Sequence, residues 1–100
     1  EKREELTTEG GLNLLPIADE LAHACKQLNE KGIKVSLFIE ASADQINVAS
    51  RVGADAIELH TGTYADSTGS KQLDELKRII IVASQASLQS LATILLSPLR

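Results

Sequence analysis

The sequence is poor in aromatic residues, has one cysteine and contains no long apolar run. Phe38 and Tyr64 are its only Phe, Tyr or Trp residues, so it lacks the row of rings on which nucleic-acid bases stack. Cys25 is the single cysteine, which excludes an internal disulfide and is typical of a reducing compartment. No apolar run approaches the ~20 residues that span a bilayer, and no charged and then apolar leader opens the chain.

Basic side chains are also few. The 100 residues include 10 Lys and Arg against 14 Asp and Glu, which gives a net charge of -4. The basic residues are scattered, so no stripe predicts a surface for nucleic acid or anionic lipid. A hydrophobic content of 43% and a mean hydropathy of -0.02 predict one globular domain. The chain opens on Glu1-Lys2-Arg3 without a methionine, from which we expect a piece of a longer protein.

Helical and strand patterns alternate after a polar opening segment. Thr7-Thr8-Glu9-Gly10-Gly11 has neither period and predicts a loop, either one that approaches an anionic ligand closely or an ordinary connector. Pro16 suits the first turn of a helix that ends at Gly32. Cys25 lies on the apolar side of this helix and is interpreted as a core residue. His23 lies on the polar side and is interpreted as a surface residue.

The alternation of apolar side chains over residues 33–39 predicts the first strand. Ser42 and Gln45 then fit a capping box, in which the two residues hydrogen-bond to each other's backbone at the start of a helix. We expect this second helix to end at Gly53.

The second strand lies within Ala54-Asp55-Ala56-Ile57-Glu58-Leu59-His60-Thr61-Gly62, with an acid in its middle and a glycine-containing loop at its end. Because side chains alternate along a strand, Ile57 and Leu59 share one face. Ala56, Glu58 and His60 share the other. In an α/β barrel the apolar face meets the outer helices, while the polar face looks into the barrel near the carboxyl ends of the strands. The alternative is an edge strand on which Glu58 is solvated.

A turn-rich loop over residues 63–70 and a third helix from about Ser70 follow. The inner face of this helix is predicted to consist of Leu73, Leu76, Ile80, Ala83, Leu88 and Leu91. Residues 92–100 stay open between a frayed helix end, a strand and an unpaired tail, because Pro98 prevents an undisturbed helix.

Helices that alternate with short apolar strands predict an α/β fold with a parallel sheet. A complete (β/α)8 TIM barrel takes about 250 residues, so this chain holds part of one, about two to three βα units.

Three segments in this order resemble pyridoxine 5'-phosphate synthase: Glu1-Lys2-Arg3-Glu4-Glu5-Leu6-Thr7-Thr8-Glu9-Gly10-Gly11-Leu12, Val35-Ser36-Leu37-Phe38-Ile39, and Ile57-Glu58-Leu59-His60-Thr61-Gly62-Thr63-Tyr64-Ala65-Asp66. Their spacing is similar too. The resemblance extends from Glu1 to about Leu91 and implies the central segment of that family's barrel. On this basis residues 1–91 form the barrel segment, and residues 92–100 are a divergent or truncated tail.

The resemblance implies a cytoplasmic enzyme of vitamin B6 biosynthesis that is usually a homo-octamer. The family condenses 1-deoxy-D-xylulose 5-phosphate with 3-amino-2-oxopropyl phosphate and closes a pyridine ring, which gives pyridoxine 5'-phosphate, phosphate and water. No metal or organic cofactor is implied. By position, Thr7 matches the threonine that contacts the aminoketone phosphate, and Glu58 matches the glutamate that stabilises the transition state. His60 is a second candidate, for which the resemblance supplies no role.

The family's general acid and bases, two histidines and a second glutamate, belong to barrel strands outside this sequence. We therefore expect the isolated chain to be inactive. Two alternatives stay open. The chain could be a half-barrel that binds a phosphorylated metabolite without catalysis, or a non-functional remnant that folds poorly.

Overall fold

A computed structural model describes residues 13–96 of the chain. After a short 3-10 helix, helices and strands alternate along the chain. In order they are the 3-10 helix Leu15–Ile17, α1 (Ala18–Glu30), β1 (Ser36–Ile39), α2 (Ala43–Arg51), β2 (Ala56–His60), α3 (Gly62–Asp66), α4 (Gly69–Leu88) and β3 (Ala92–Leu96).

The three strands form a parallel sheet with β2 in the centre, in the order β1-β2-β3. In the register, Glu58 lies between Phe38 of β1 and Ile94 of β3. Parallel strands joined by helices are the architecture of part of a (β/α)8 barrel, so the predicted fold class is confirmed. The central position of β2 also removes the alternative of an edge strand.

The core lies between the sheet and the helices. Ile57 and Leu59 of β2 have no exposed surface, and Ile39 of β1 has none either. They pack with side chains from α1, α2 and α4, such as Cys25 and Ile46. Complete burial of each such aliphatic side chain stabilises the fold by about 1.5–3 kcal/mol. The predicted apolar face of β2 is therefore the face that holds the helices.

The first strand is shorter than predicted. Ile33 is 41% exposed, and regular pairing begins only at Ser36. Before that point a side chain takes part in the pairing of the two strands. The Val35 amide donates a hydrogen bond to Asp55 Oδ2 at 2.8 Å. The Val35 carbonyl accepts from the amides of both Asp55 and Ala56. This local contact holds the amino ends of β1 and β2 together.

Helix α2 begins where the capping pattern placed it. Ser42 is the N-cap, and its hydroxyl oxygen accepts a hydrogen bond from the Gln45 amide at 3.2 Å. The reciprocal half of the box is absent among these residues, since the Gln45 side chain instead accepts from the Leu14 amide at 2.8 Å. The turn after α2 needs Gly53, whose φ of +91° lies in the left-handed region that favours glycine.

Helix α4 buries a different stripe from the predicted one. Ile79, Val82 and Ala86 face the core. Most of the predicted inner residues are exposed, by 37% to 88%, namely Leu73, Leu76, Ile80 and Leu88. Ala83 is half-buried against the core, while Leu91 is buried but lies beyond the helix end. Apolar residues surround this helix on several sides, so its own periodicity does not identify the stripe that the sheet covers.

The structure also decides the conformation of two further segments. The predicted loop over residues 63–70 is partly helical, because it overlaps the short helix α3. Of the three alternatives for the last segment, Ala92–Leu96 forms a strand, which pairs with β2 over five residues.

Candidate functional site

The face of the sheet away from the core carries a buried carboxylate. Glu58 is 9% exposed and lies in register with Phe38 and Ile94 on the neighbouring strands. Its sequence neighbours Ile57 and Leu59 are fully buried on the opposite face. The predicted separation of the two faces of β2 is thus what the structure shows.

Glu58 accepts a hydrogen bond from β1. The Ser36 hydroxyl donates to Glu58 Oε2 at 3.2 Å. A carboxylate that is shielded from water needs such donors, because burial of an unpaired charge is costly. Ser36 therefore helps to hold the carboxylate between the strands.

His60 follows Glu58 on the same face, at the carboxyl end of β2. Its Nδ1 accepts a hydrogen bond from the Gly62 amide at 3.4 Å. The ring packs on Phe38 with centroids 5.6 Å apart and planes inclined at 59°. Nδ1 also lies 4.0 Å from Oε2 of Glu40, the residue that follows β1. The imidazole is thus fixed by groups from two strand ends.

Arg78 of α4 ties the helix layer to this end of the sheet. Its guanidinium donates to the Ala41 carbonyl and to both carboxylate oxygens of Glu75, at 2.7 and 3.1 Å. The hydrogen bonds from Arg78 lower the pKa of Glu75 below its ordinary value. The same pairing raises the pKa of Arg78, and the nearby charge of Glu40 adds to this. The loop after β1 therefore has a fixed support.

The remaining candidates are accounted for as follows. Thr7 lies outside the described residues, so its predicted substrate contact stays a prediction. His23 is exposed on α1. Cys25 is 2% exposed, and burial, with a contribution from the charge of Asp55, raises the pKa of its thiol. A protonated, buried thiol is a core group rather than a nucleophile.

Sequence reasoning missed two contributors to this face. Ser36 lies in the second segment of the resemblance and Glu40 follows that segment, but neither was singled out, because their relation to Glu58 and His60 depends on strand register. The signal available was the period of two along β1, which places Ser36 and Phe38 on one face. The pairing with β2 comes only from the fold.

Within residues 13–96 no three His, Cys, Asp or Glu side chains are grouped to hold a metal ion. None of the helices in the described part of the chain is long and apolar enough to cross a bilayer.

Parallel strands with helices on one face and polar groups on the other define a segment of a (β/α)8-barrel protein. Comparison with known sequences identifies its family. The sequence model of the family described as "Pyridoxal phosphate biosynthesis protein PdxJ" matches residues 1–94, and the chain belongs to this family.

Individual relatives agree. The chain is 54% identical over 92 residues to pyridoxine 5'-phosphate synthase of Aliivibrio fischeri. This alignment covers 91% of the chain and 38% of the relative. It is 51% identical over 79 residues to the protein of that name from Thermodesulfovibrio yellowstonii. This second alignment covers 79% of the chain and 33% of the relative. The aligned part of the chain thus spans 38% of the length of the first relative and 33% of the second.

Proposed function

We propose that this chain is a segment of a pyridoxine 5'-phosphate synthase and supplies the strand that carries Glu58 to its site. The complete barrel would condense 1-deoxy-D-xylulose 5-phosphate with 3-amino-2-oxopropyl phosphate to pyridoxine 5'-phosphate. Family membership supports a role in the biosynthesis of vitamin B6. We further propose a cytoplasmic homo-oligomer, as in the family.

The observation that carries the proposal is the position of Glu58. Its carboxylate is shielded from water on the sheet face that a barrel encloses, and it is held by Ser36. A ring closure through imine and enol intermediates develops positive charge and transfers protons repeatedly. A fixed carboxylate in a site of low dielectric stabilises such charge more strongly than one in water.

We expect the isolated chain not to catalyse the condensation. Glu58 can stabilise charge, but repeated proton transfer needs further acids and bases, which contribute roughly 10²–10⁴-fold each. The resemblance assigns those groups to strands that this sequence does not include. We therefore propose activity only for the barrel that contains this segment.

A chimaera tests the proposal. The 92 residues of the Aliivibrio fischeri enzyme that align with this chain are replaced by the segment of this chain, and the product is assayed with both substrates. We expect formation of pyridoxine 5'-phosphate together with release of phosphate. The parent enzyme and the isolated chain are the upper and lower controls.

A chimaera that is folded by circular dichroism but forms no pyridoxine 5'-phosphate would refute the proposed role. If the chimaera does not fold, the chain itself decides between the remaining functions by calorimetric titration with 3-amino-2-oxopropyl phosphate. Heat of binding at millimolar ligand would favour the half-barrel that binds without catalysis. Its absence would favour the remnant.

A further inference from the structure

His60 is held more firmly than a surface histidine needs to be. Its side chain is 12% exposed, and it contacts the ring of Phe38 and the amide of Gly62. It stands two residues after Glu58, on the same face of β2. A mostly buried polar ring on the same strand face as a buried carboxylate has a cost in desolvation that an apolar side chain would not have.

The missing side chain of Gly62 leaves space for the His60 ring. A Cβ built on Gly62 would lie 2.5 Å from Cε1 and 2.9 Å from Nε2 of His60. These distances are too short for carbon and nitrogen atoms that are not bonded, so any side chain here would displace the imidazole. The absence of a side chain at Gly62 thus permits the observed ring position.

The contacts also select a tautomer. A neutral imidazole has one donor and one acceptor nitrogen. Because Nδ1 accepts from the Gly62 amide, the proton of neutral His60 is on Nε2. When the ring is protonated, Glu40 at 4.0 Å from Nδ1 faces the added charge.

We propose that His60 is a second ligand-contacting residue of this site, and that its Nε2–H donates a hydrogen bond to an oxygen of a phosphorylated substrate. Phe38 and Gly62 fix the ring for this contact. The substrate class rests on the proposed function. The tautomer and the fixed ring rest on the geometry of the described residues alone.

A packing role would make a different prediction. If the ring only fills space beside Phe38, phenylalanine should replace it, because Phe keeps an aromatic ring and loses both nitrogens. If the donor matters, glutamine should replace it better, because its amide N–H can reach close to the position of Nε2. The two substitutions therefore separate the roles.

The kinetic test uses the active chimaera. We expect His60→Phe to lower kcat/KM about tenfold, as the loss of one buried hydrogen bond predicts, and His60→Gln to retain most of it. His23→Gln, at an exposed position of α1, is the matched control and should have no effect. A His60→Phe chimaera with unchanged kcat/KM would overturn the ligand contact. A chimaera that is folded by circular dichroism but inactive with native His60 would instead refute the proposed function.

The second test needs no activity. Long-range proton–nitrogen NMR of the 100-residue chain reports which nitrogen of each histidine carries the proton. We expect Nε2–H for His60 at a pH where it is neutral, with His23 as the exposed reference. Gly62→Ala should shift the His60 signals because the ring has to move. An Nδ1–H tautomer, or unchanged His60 signals in Gly62→Ala, would overturn the assigned ring position.

Discussion

The two faces of β2 are built on opposite principles. On one face Ile57 and Leu59 are completely buried and hold the helices against the sheet. On the other, Glu58 and His60 are mostly buried polar groups held by contacts from β1 and from Gly62. Apolar burial stabilises a fold, whereas a buried carboxylate contributes little to stability or lowers it. The residues that keep the segment folded therefore lie on one face of β2, and the residues that we propose contact the substrate lie on the other.

The largest effect on stability should come from the core face. Leu59→Ala removes buried methyl groups and leaves a cavity, so we expect the free energy of unfolding to fall by about 2–5 kcal/mol. Leu95→Ala is the matched control, because Leu95 pairs with Leu59 on β3 but is 53% exposed. Urea denaturation of the complete chain measures both. Equal losses in the two variants would contradict the view that complete burial of the Leu59 side chain is what stabilises the fold.

On the face of β2 that carries Glu58, substitution should lower activity strongly and stability little. Glu58→Gln keeps the size of the side chain and removes its charge, so we expect kcat/KM of the chimaera to fall about 100-fold. The free energy of unfolding of the complete chain should change by less than about 1 kcal/mol. Glu30→Gln, at an exposed position on α1, controls for loss of one charge. A Glu58→Gln chimaera with the native rate would remove Glu58 from the site.

A smaller effect should come from the start of α2. Ser42→Ala removes the hydroxyl that accepts from the Gln45 amide, and the loss of an N-cap costs about 1 kcal/mol. Ser87→Ala, an exposed position of α4, is the control, and urea denaturation again measures both. Because Ser42 lies outside the proposed site, the activity of the chimaera should not change. A large loss of activity would show that the faces are coupled through α2.

The smallest effect should depend on pH. Since Arg78 lowers the pKa of Glu75 from 4.5, the pair stabilises the chain fully above that pH and loses its effect as the pH falls below it. Arg78 is 40% exposed, so we expect only about 0.5 kcal/mol. Glu75→Gln keeps the contact of Arg78 with Ala41 and removes the titration. The difference in unfolding free energy between native chain and variant should shrink below pH 4.5; a difference that grows there would contradict the pairing.

Local patterns were sufficient for β2 and for the start of α2. Alternation assigned the two faces around Glu58, and Ser42 marked the cap, because both signals depend on neighbouring residues. The resemblance predicted Glu58 and Thr7 as site residues, and both assignments stay predictions.

Features that depend on tertiary contacts escaped prediction. The buried stripe of α4 was wrong, because Ile79, Ile80, Ile81 and Val82 surround the helix and only the sheet decides which of them is covered. The strand Ala92–Leu96 was left open because its partner is β2. The contact between His60 and Gly62 was missed because it depends on how the chain turns after the strand.

The most direct measurement is a crystal structure of the chimaera with bound 1-deoxy-D-xylulose 5-phosphate. We expect the ligand on the face of β2 opposite Leu59, with the Glu58 carboxylate or His60 Nε2 within hydrogen-bond distance, about 3 Å, of its oxygen atoms. A ligand bound elsewhere in the barrel, with Glu58 in contact with protein groups alone, would contradict the proposed site.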